Sequence, residues 1–439
     1  MASQRQRVRK HLSADALIDV LHTRFQQIAD PRPEGGTISV TDALMSGFAV
    51  FALKDPSLLA FDQRRSEENL RTIFQIEQVP SDTQLRAILD EVEPDHLRPG
   101  FQDVFRQLQR GKALEPLVYY QGCYLLSVDG TETFSSKQIH CPHCMQRKNK
   151  QGEITYYHQM LNAVIVHPDS REVIPLMPEA IHKQDGATKN DCERNAGKRL
   201  FAQIHKDHPH LQFIIIEDGL SSNAPHIREI RSYGWHYILG AKSGDHTSLF
   251  ARMEQAYLAG QAQTLTLVDA AGVLHHYRWL EQVPLNESNP EVLVNFLEYW
   301  EVSQAGVKYF SWVSDLPLTE ATVALVAQGG RTRWKIENET HNTLKNQGYH
   351  YDHNFGHGQK QLSVVFALLM MLAFLVDQTQ QLCCALFQAV WQKLGSKREL
   401  WDRLRSAFRD FVFDSLQELY AALLQGIRKQ KPELLPDSS

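Results

Sequence analysis

Three short strings in this chain hold acids where they could act together. Ser127-Val128-Asp129-Gly130-Thr131 and Ile216-Glu217-Asp218-Gly219 each place an aspartate at the end of a β-branched apolar run, and Arg333-Trp334-Lys335-Ile336-Glu337 offers a glutamate inside a helical pattern. Carboxylates delivered from two strand ends and one helix can converge on one point. There they would hold hard divalent cations, which take oxygen ligands and bridge phosphates. Each acid also has a plainer reading. An aspartate after a strand commonly caps a turn, and Glu337 could be a solvated helix carboxylate paired with Arg333 or Lys335. Glu339, two residues on and so on another helix face, competes with it. What favours joint action is that both aspartates end buried-strand patterns and precede glycine, and that sites in open α/β sheets gather at strand ends.

A second constellation lies just beyond the first aspartate. His140-Cys141-Pro142-His143-Cys144 has the C-x2-C spacing that lets two thiolates grip one tetrahedral ion. His140, His143, His158 or Cys192 could complete the set; the simplest full set is Cys141, Cys144, His158 and Cys192. The competing reading is a pair of reduced thiols in a Lys/Arg-rich loop. If zinc binds, a closed four-ligand site leaves no position for substrate, so its role would be structural. The later run His350-Tyr351-Asp352-His353-Asn354-Phe355-Gly356-His357-Gly358 also invites a metal reading, but its closing glycines favour a polar loop lining a cleft after the Glu337 helix.

The elements that must position these groups can be read from periodicity. Residues 11 to about 115 carry apolar residues at three- and four-residue spacing, and Pro80-Ser81-Asp82-Thr83 supplies a helix start with Ser or Asp as cap. From Tyr119 the texture turns to β. Residues 124–128, 160–166 and 213–216 read as strands, the last fully buried. Residues about 245–312 fit a β-rich insertion better than a further helix, and helix returns from Gln361 through Leu424. The predicted regions are 1–117, helical; 118–358, α/β with the insertion; and 359–439, helical again.

The 439 residues, 43% hydrophobic and 22% charged, suit an ordinary globular protein and exclude a disordered one. The formal charge of -5 conceals local basic patches, including an N-terminal arm with Arg5, Arg7, Arg9 and Lys10 and no acid. The beginning of the chain lacks the apolar core of a secretory signal. The run from Leu362 to Val376 is shorter than the ~20 residues of a membrane span and reads as a buried helix, so no membrane partner is expected. Six cysteines, two of them adjacent, do not make a disulfide framework and imply a reducing cytosol.

The chain resembles the insertion-sequence DDE transposases, in the branch whose last acid sits in a Tyr-x2-Arg-x3-Glu-x6-Lys signature and follows a β insertion. Asp129-Gly130-Thr131 matches the first acidic site, Asp218-Gly219 followed by Asn223 the second, and Arg333-Trp334-x-Ile336-Glu337 the third, which selects Glu337 over Glu339. The segment from Trp312 to Leu318 resembles the one that precedes the family's third site. The signature's tyrosine position holds Gly330. Its lysine falls one residue late, at Lys345, with Leu344 in the expected place.

This resemblance implies an RNase H-like catalytic core at 118–358, flanked by a DNA-binding N-terminal helical region and a C-terminal helical region. It implies two Mg²⁺ or Mn²⁺ ions held by Asp129, Asp218 and Glu337. The activity implied is cleavage at insertion-sequence ends and transfer of the freed 3′-hydroxyls into target DNA. The implied partners are terminal inverted repeats, target DNA and further copies of the chain as a dimer or higher oligomer, in the bacterial cytoplasm. Arg333 and Lys345 would face phosphate, Trp312 would stack on an unpaired base, and the Arg5 to Lys10 arm would bind end DNA. Arg333 could instead form an intrahelical ion pair, and Trp312 could be a core side chain. Two other activities fit the same residues: a DNA-binding derivative without catalysis, and a metal-dependent nuclease without strand transfer.

Overall fold

The computed structural model describes residues 10–32, 36–181 and 193–426. At its centre lies a mixed sheet. Its main strands are β1 (Cys123–Ser136), β2 (Met145–Lys148), β3 (Ile154–Val166), β4 (Gln212–Glu217), β5 (His236–Gly240), β6 (Gln263–Val268), β7 (Leu274–Asn286), β8 (Asn289–Ser303) and β9 (Gly306–Ser314), in the spatial order β2-β3-β1-β4-β5-β9-β8-β7-β6. β1 and β3 are antiparallel, whereas β1, β4 and β5 run parallel. Short strands at Ile174–Pro175 and Glu179–Ile181 complete the antiparallel side against β3.

The middle parallel strand, β4, carries an unbroken apolar run between its end residues. Phe213, Ile214, Ile215 and Ile216 are all buried, as expected for strands covered on both faces. Helices Glu193–Asp207 and Ala224–Ser232 supply the crossover connections.

The insertion differs from its predicted form in one respect and has a second feature on which the residues are silent. It opens with a helix, Thr247–Leu258, before any strand. Its four antiparallel strands then extend the central sheet, because β9 pairs directly with β5 through Trp312↔Gly240, Val313↔Leu239 and Ser314↔Ile238. That helix buries only Leu249 and Met253, a weak apolar stripe that periodicity does not single out against the strand-rich residues around it.

The N-terminal helices pack on the long helix Leu362–Cys383, whose residues are almost all buried. Its apolar run is therefore the middle of a protein core. Ser81 caps the helix Asp82–Leu89 in a reciprocal capping box with Gln84. Gly47, in helix Val40–Ala52, faces Leu369 so closely that a Cβ would lie 2.7 Å from its methyl group, which lets the two helices approach.

Candidate active site

Asp129 does not end its strand, because β1 continues through Gly130 to Ser136. What ends is its parallel neighbour. The last paired residues are Ser127 and Ile216, so Asp129 and Asp218 each lie two residues beyond the same rung and project past the edge of β4 together. Asp218 caps the short turn that follows, its carboxylate accepting the Leu220 amide at 3.0 Å. Gly240 on β5 makes room for that turn. A Cβ there would sit 3.0 Å from the Gly219 nitrogen and 3.2 Å from the Asp218 carbonyl carbon, both backbone atoms.

Glu337 arrives on an irregular helix. The α-helix Val323–Arg331 passes into a 3₁₀ turn at Thr332–Trp334, then a π-helical segment Ile336–His341, and α geometry resumes at Asn342–Asn346. π segments recur at functional sites, where the wider turn re-aims side chains. The Ser127 hydroxyl donates to the Arg333 carbonyl at 3.0 Å, tying this helix to the strand that carries Asp129.

The three carboxylates share one electrostatic environment. The Asp129 carboxyl is pushed from 3.8 up to about 6, chiefly by burial; Arg333 opposes the shift, and the negative charges of Glu337, Glu193 and Asp218 add to it. Glu193 has no signal in the sequence that would have singled it out. It begins the first crossover helix, accepts a hydrogen bond from Gln159 at 2.7 Å, and lies so close to Gly130 that a Cβ there would meet its carboxylate oxygen at 2.2 Å. The glycine after Asp129 is thus explained by the close approach of Glu193.

His341 also escaped sequence reasoning. Its Nδ1 stands 3.9 Å from Asp129 Oδ2, while the amide of Asn162, the cross-strand partner of Asp129, donates to its Nε2 at 3.2 Å. An accepting Nε2 leaves the proton on Nδ1, facing Asp129. Burial lowers the His341 pKa to about 4, so the ring is neutral near pH 7.

The remaining predicted contacts divide. Arg333 forms the intrahelical pair with Glu337, at 2.9 Å, and remains partly exposed. Leu344 is fully buried whereas Lys345 is partly exposed and pairs with Asp352 at 3.4 Å. A π turn holds one residue more than an α turn, which is what a lysine displaced by one position requires.

Trp312 does not offer a face to a base. It is 5% exposed, stacked on Phe310 at 5.7 Å, and a Cβ at Gly330 would lie 2.5 Å from its indole. The indole therefore takes the room a side chain at the signature's tyrosine position would need. Trp334, beside Arg333, is an exposed aromatic, at 47%. Arg5, Arg7 and Arg9 lie outside the described residues, and of Lys10 only the backbone, in a 3₁₀ turn, is described.

The thiol constellation is also changed. Cys141, Cys144 and His158 come together, and the fourth member is His357. Cys192 lies outside the described residues. The loop that brings His357 buries Tyr351 and Phe355 as well, so it packs against the protein and does not line the cleft as a polar loop would.

A family model described as a transposase DDE domain matches residues 125–375. No curated protein matches the chain. Among solved structures, a piggyBac transposase synaptic complex with hairpin DNA is similar at 12% identity and a TM-score of 0.41, over 100% of this chain and 90% of that one. The matched residues carry all three acidic strings and an RNase H-like order of three antiparallel and two parallel strands, and the chain belongs to the DDE transposase family.

Proposed function

We propose that the protein cuts DNA at the ends of an insertion sequence and joins the freed 3′-hydroxyls to target DNA. The observation that carries this reading is the projection of Asp129 and Asp218 beyond one shared rung of the sheet, with Glu337 electrostatically coupled to Asp129. The donors fit hard divalent cations, Mg²⁺ or Mn²⁺: they are carboxylates, and a bound cation would offset both the burial and the added repulsion that lift Asp129. Asp129, Asp218 and Glu337 would hold two such ions between them. Such ions, when bound, lower the pKa of the attacking oxygen and offset charge on the departing one.

The chain's own residues set the stage for that chemistry. Arg333 holds Glu337 in place and, being partly exposed, presents its remaining N–H groups to a phosphate. Neutral His341 adds no positive charge that would compete with cations at Asp129, and its link to Asn162 holds the π segment against β3. In the first reaction water attacks the end phosphodiester and the 3′-oxygen leaves with a proton. In the second that 3′-hydroxyl attacks a target phosphodiester in line, and as the new P–O bond forms the target's own 3′-oxygen leaves with the proton. Arg333, Trp334 and the Arg5 to Lys10 arm are the DNA contacts we assign outside the carboxylates, and pairing of two ends calls for at least two protomers.

The test uses the full chain, Mg²⁺, a supercoiled plasmid and linear DNA carrying the sequences that flank this reading frame. Joined products that migrate as end–plasmid adducts are expected. Cutting without joining would instead indicate a nuclease, and binding without cutting would indicate a derivative that has lost catalysis. Because phosphate contacts dominate such binding, affinity for end DNA should fall steeply as salt rises.

A further inference from the structure

Cys141 and Cys144 sit in the turn between β1 and β2, His158 lies on the neighbouring strand β3, and His357 comes from the loop beyond the Glu337 helix, 199 residues after His158. All four are buried, and their ligand atoms lie within 4.8 Å of one another. The distances are Cys141 Sγ to Cys144 Sγ 3.8 Å, each sulfur to His158 Nε2 3.4 Å, Cys144 Sγ to His357 Nε2 3.2 Å, and His158 Nε2 to His357 Nε2 3.2 Å. Tetrahedral zinc with Zn–S of about 2.3 Å and Zn–N of about 2.05 Å needs edges of about 3.8 Å between sulfurs, about 3.5 Å from sulfur to nitrogen and about 3.3 Å between nitrogens. The five edges follow that pattern to within about 0.4 Å.

Two further observations favour an ion over mutual hydrogen bonding or a disulfide. His357 Nδ1 lies 2.9 Å from the Gly358 carbonyl; since a carbonyl can only accept, the proton sits on Nδ1 and Nε2 keeps a free lone pair aimed into the cluster. The sulfurs are far beyond the ~2.05 Å of a disulfide. Two thiolates and two imidazoles in a tetrahedron select zinc over hard cations such as Mg²⁺.

We propose that Cys141, Cys144, His158 and His357 bind one structural zinc ion. Its place in the fold gives it a purpose. Three ligands belong to the β1–β3 ribbon that carries Asp129, and the fourth belongs to the loop that leaves the Glu337 segment, so the ion fastens the two parts of the active site to each other. With four protein ligands it has no open position and takes no part in the chemistry. Phe134 walls the site, its ring 4.4 Å from that of His357.

The test is metal analysis of the full-length chain purified without a metal-affinity column and dialysed against EDTA. One zinc per chain should remain, and cobalt exchanged for it should show thiolate charge-transfer and tetrahedral absorption bands. Cys144→Ser and His357→Ala should each weaken zinc affinity at least tenfold, whereas Cys192→Ser should retain the wild-type metal. Substoichiometric zinc in the wild-type chain, a Cys141–Cys144 disulfide by mass spectrometry, or undiminished affinity in His357→Ala would each overturn the proposal. These readouts need no DNA, so their outcome is separate from that of the joining assay.

Discussion

Asp129→Asn, Asp218→Asn or Glu337→Gln is expected to lower both cutting and joining of end DNA by about 10³-fold or more, because a lost chelating carboxylate removes several kcal/mol of charge stabilisation and each 1.36 kcal/mol is tenfold in rate. The three variants should still fold. Asp129→Asn should in fact melt higher than the wild-type chain in the absence of divalent cations. The Asp129 carboxyl titrates at about 6 in the fold, against an ordinary value of 3.8. A carboxyl raised in this way favours the folded state fully below pH 3.8, and that contribution is lost as pH rises through about 6, so at neutral pH the ionised group is a burden on the fold. Asparagine removes the burden and its pH dependence. Divalent cations should raise the melting temperature of the wild type near pH 7, less so below pH 6 where protons compete, and hardly at all in Asp129→Asn. Thermal denaturation across pH, with and without Mg²⁺, checks each part.

Asp377→Ala should be the most destabilising single change away from the acids, by about 3–5 kcal/mol, because it strands a buried charge. Lys54 follows helix Val40–Ala52, is fully buried, and places its ammonium 2.5 Å from Asp377 on helix Leu362–Cys383. The ammonium also lies 4.3 Å over the Tyr349 ring and 4.2 Å over Trp401, while the Tyr349 hydroxyl donates to the same Asp377 oxygen. Burial pulls the Lys54 pKa down and Asp377 opposes it. The cluster thus joins the N-terminal helices, the central helix and the chain just after the Glu337 segment. Lys54→Met combined with Asp377→Leu should regain much of the loss, since replacing both partners by apolar groups removes the stranded charge. Urea unfolding of the single and double variants, with the coupling taken from the full cycle, measures this.

How much of this was legible in the residues depends on the range of the interaction. The aspartates and Glu337 could be read because each is announced by its own neighbours, an apolar run before Asp129 and Asp218 and the Arg-Trp-x-Ile-Glu string around Glu337. Cys141 and Cys144 announced each other in the same way. His357 could not be read, since nothing local says that a loop beyond the third acid folds back on β3. Glu193 and His341 were equally silent, because their importance rests on Gly130 and Asn162, residues distant in sequence that the fold brings to them only where helices meet strands. Trp312 misled for the opposite reason: its aromatic chemistry was visible, but its burial against Gly330 and Phe310 was not. The fold divides along the same line. Core strands with unbroken apolar runs were evident, while the helix Thr247–Leu258, with two buried residues, was hidden.

Whether Asp129, Asp218 and Glu337 hold cations at one place can be read directly. Iron(II) substituted at that site in the zinc-loaded chain, with ascorbate and peroxide, generates hydroxyl radicals that cut the backbone beside the metal. A shared cation site predicts peptide cuts clustered near residues 129, 218 and 337 together, suppressed by excess Mg²⁺ and absent from Asp129→Asn. Cuts confined to one of the three strings, or a pattern unchanged in Asp129→Asn, would contradict it.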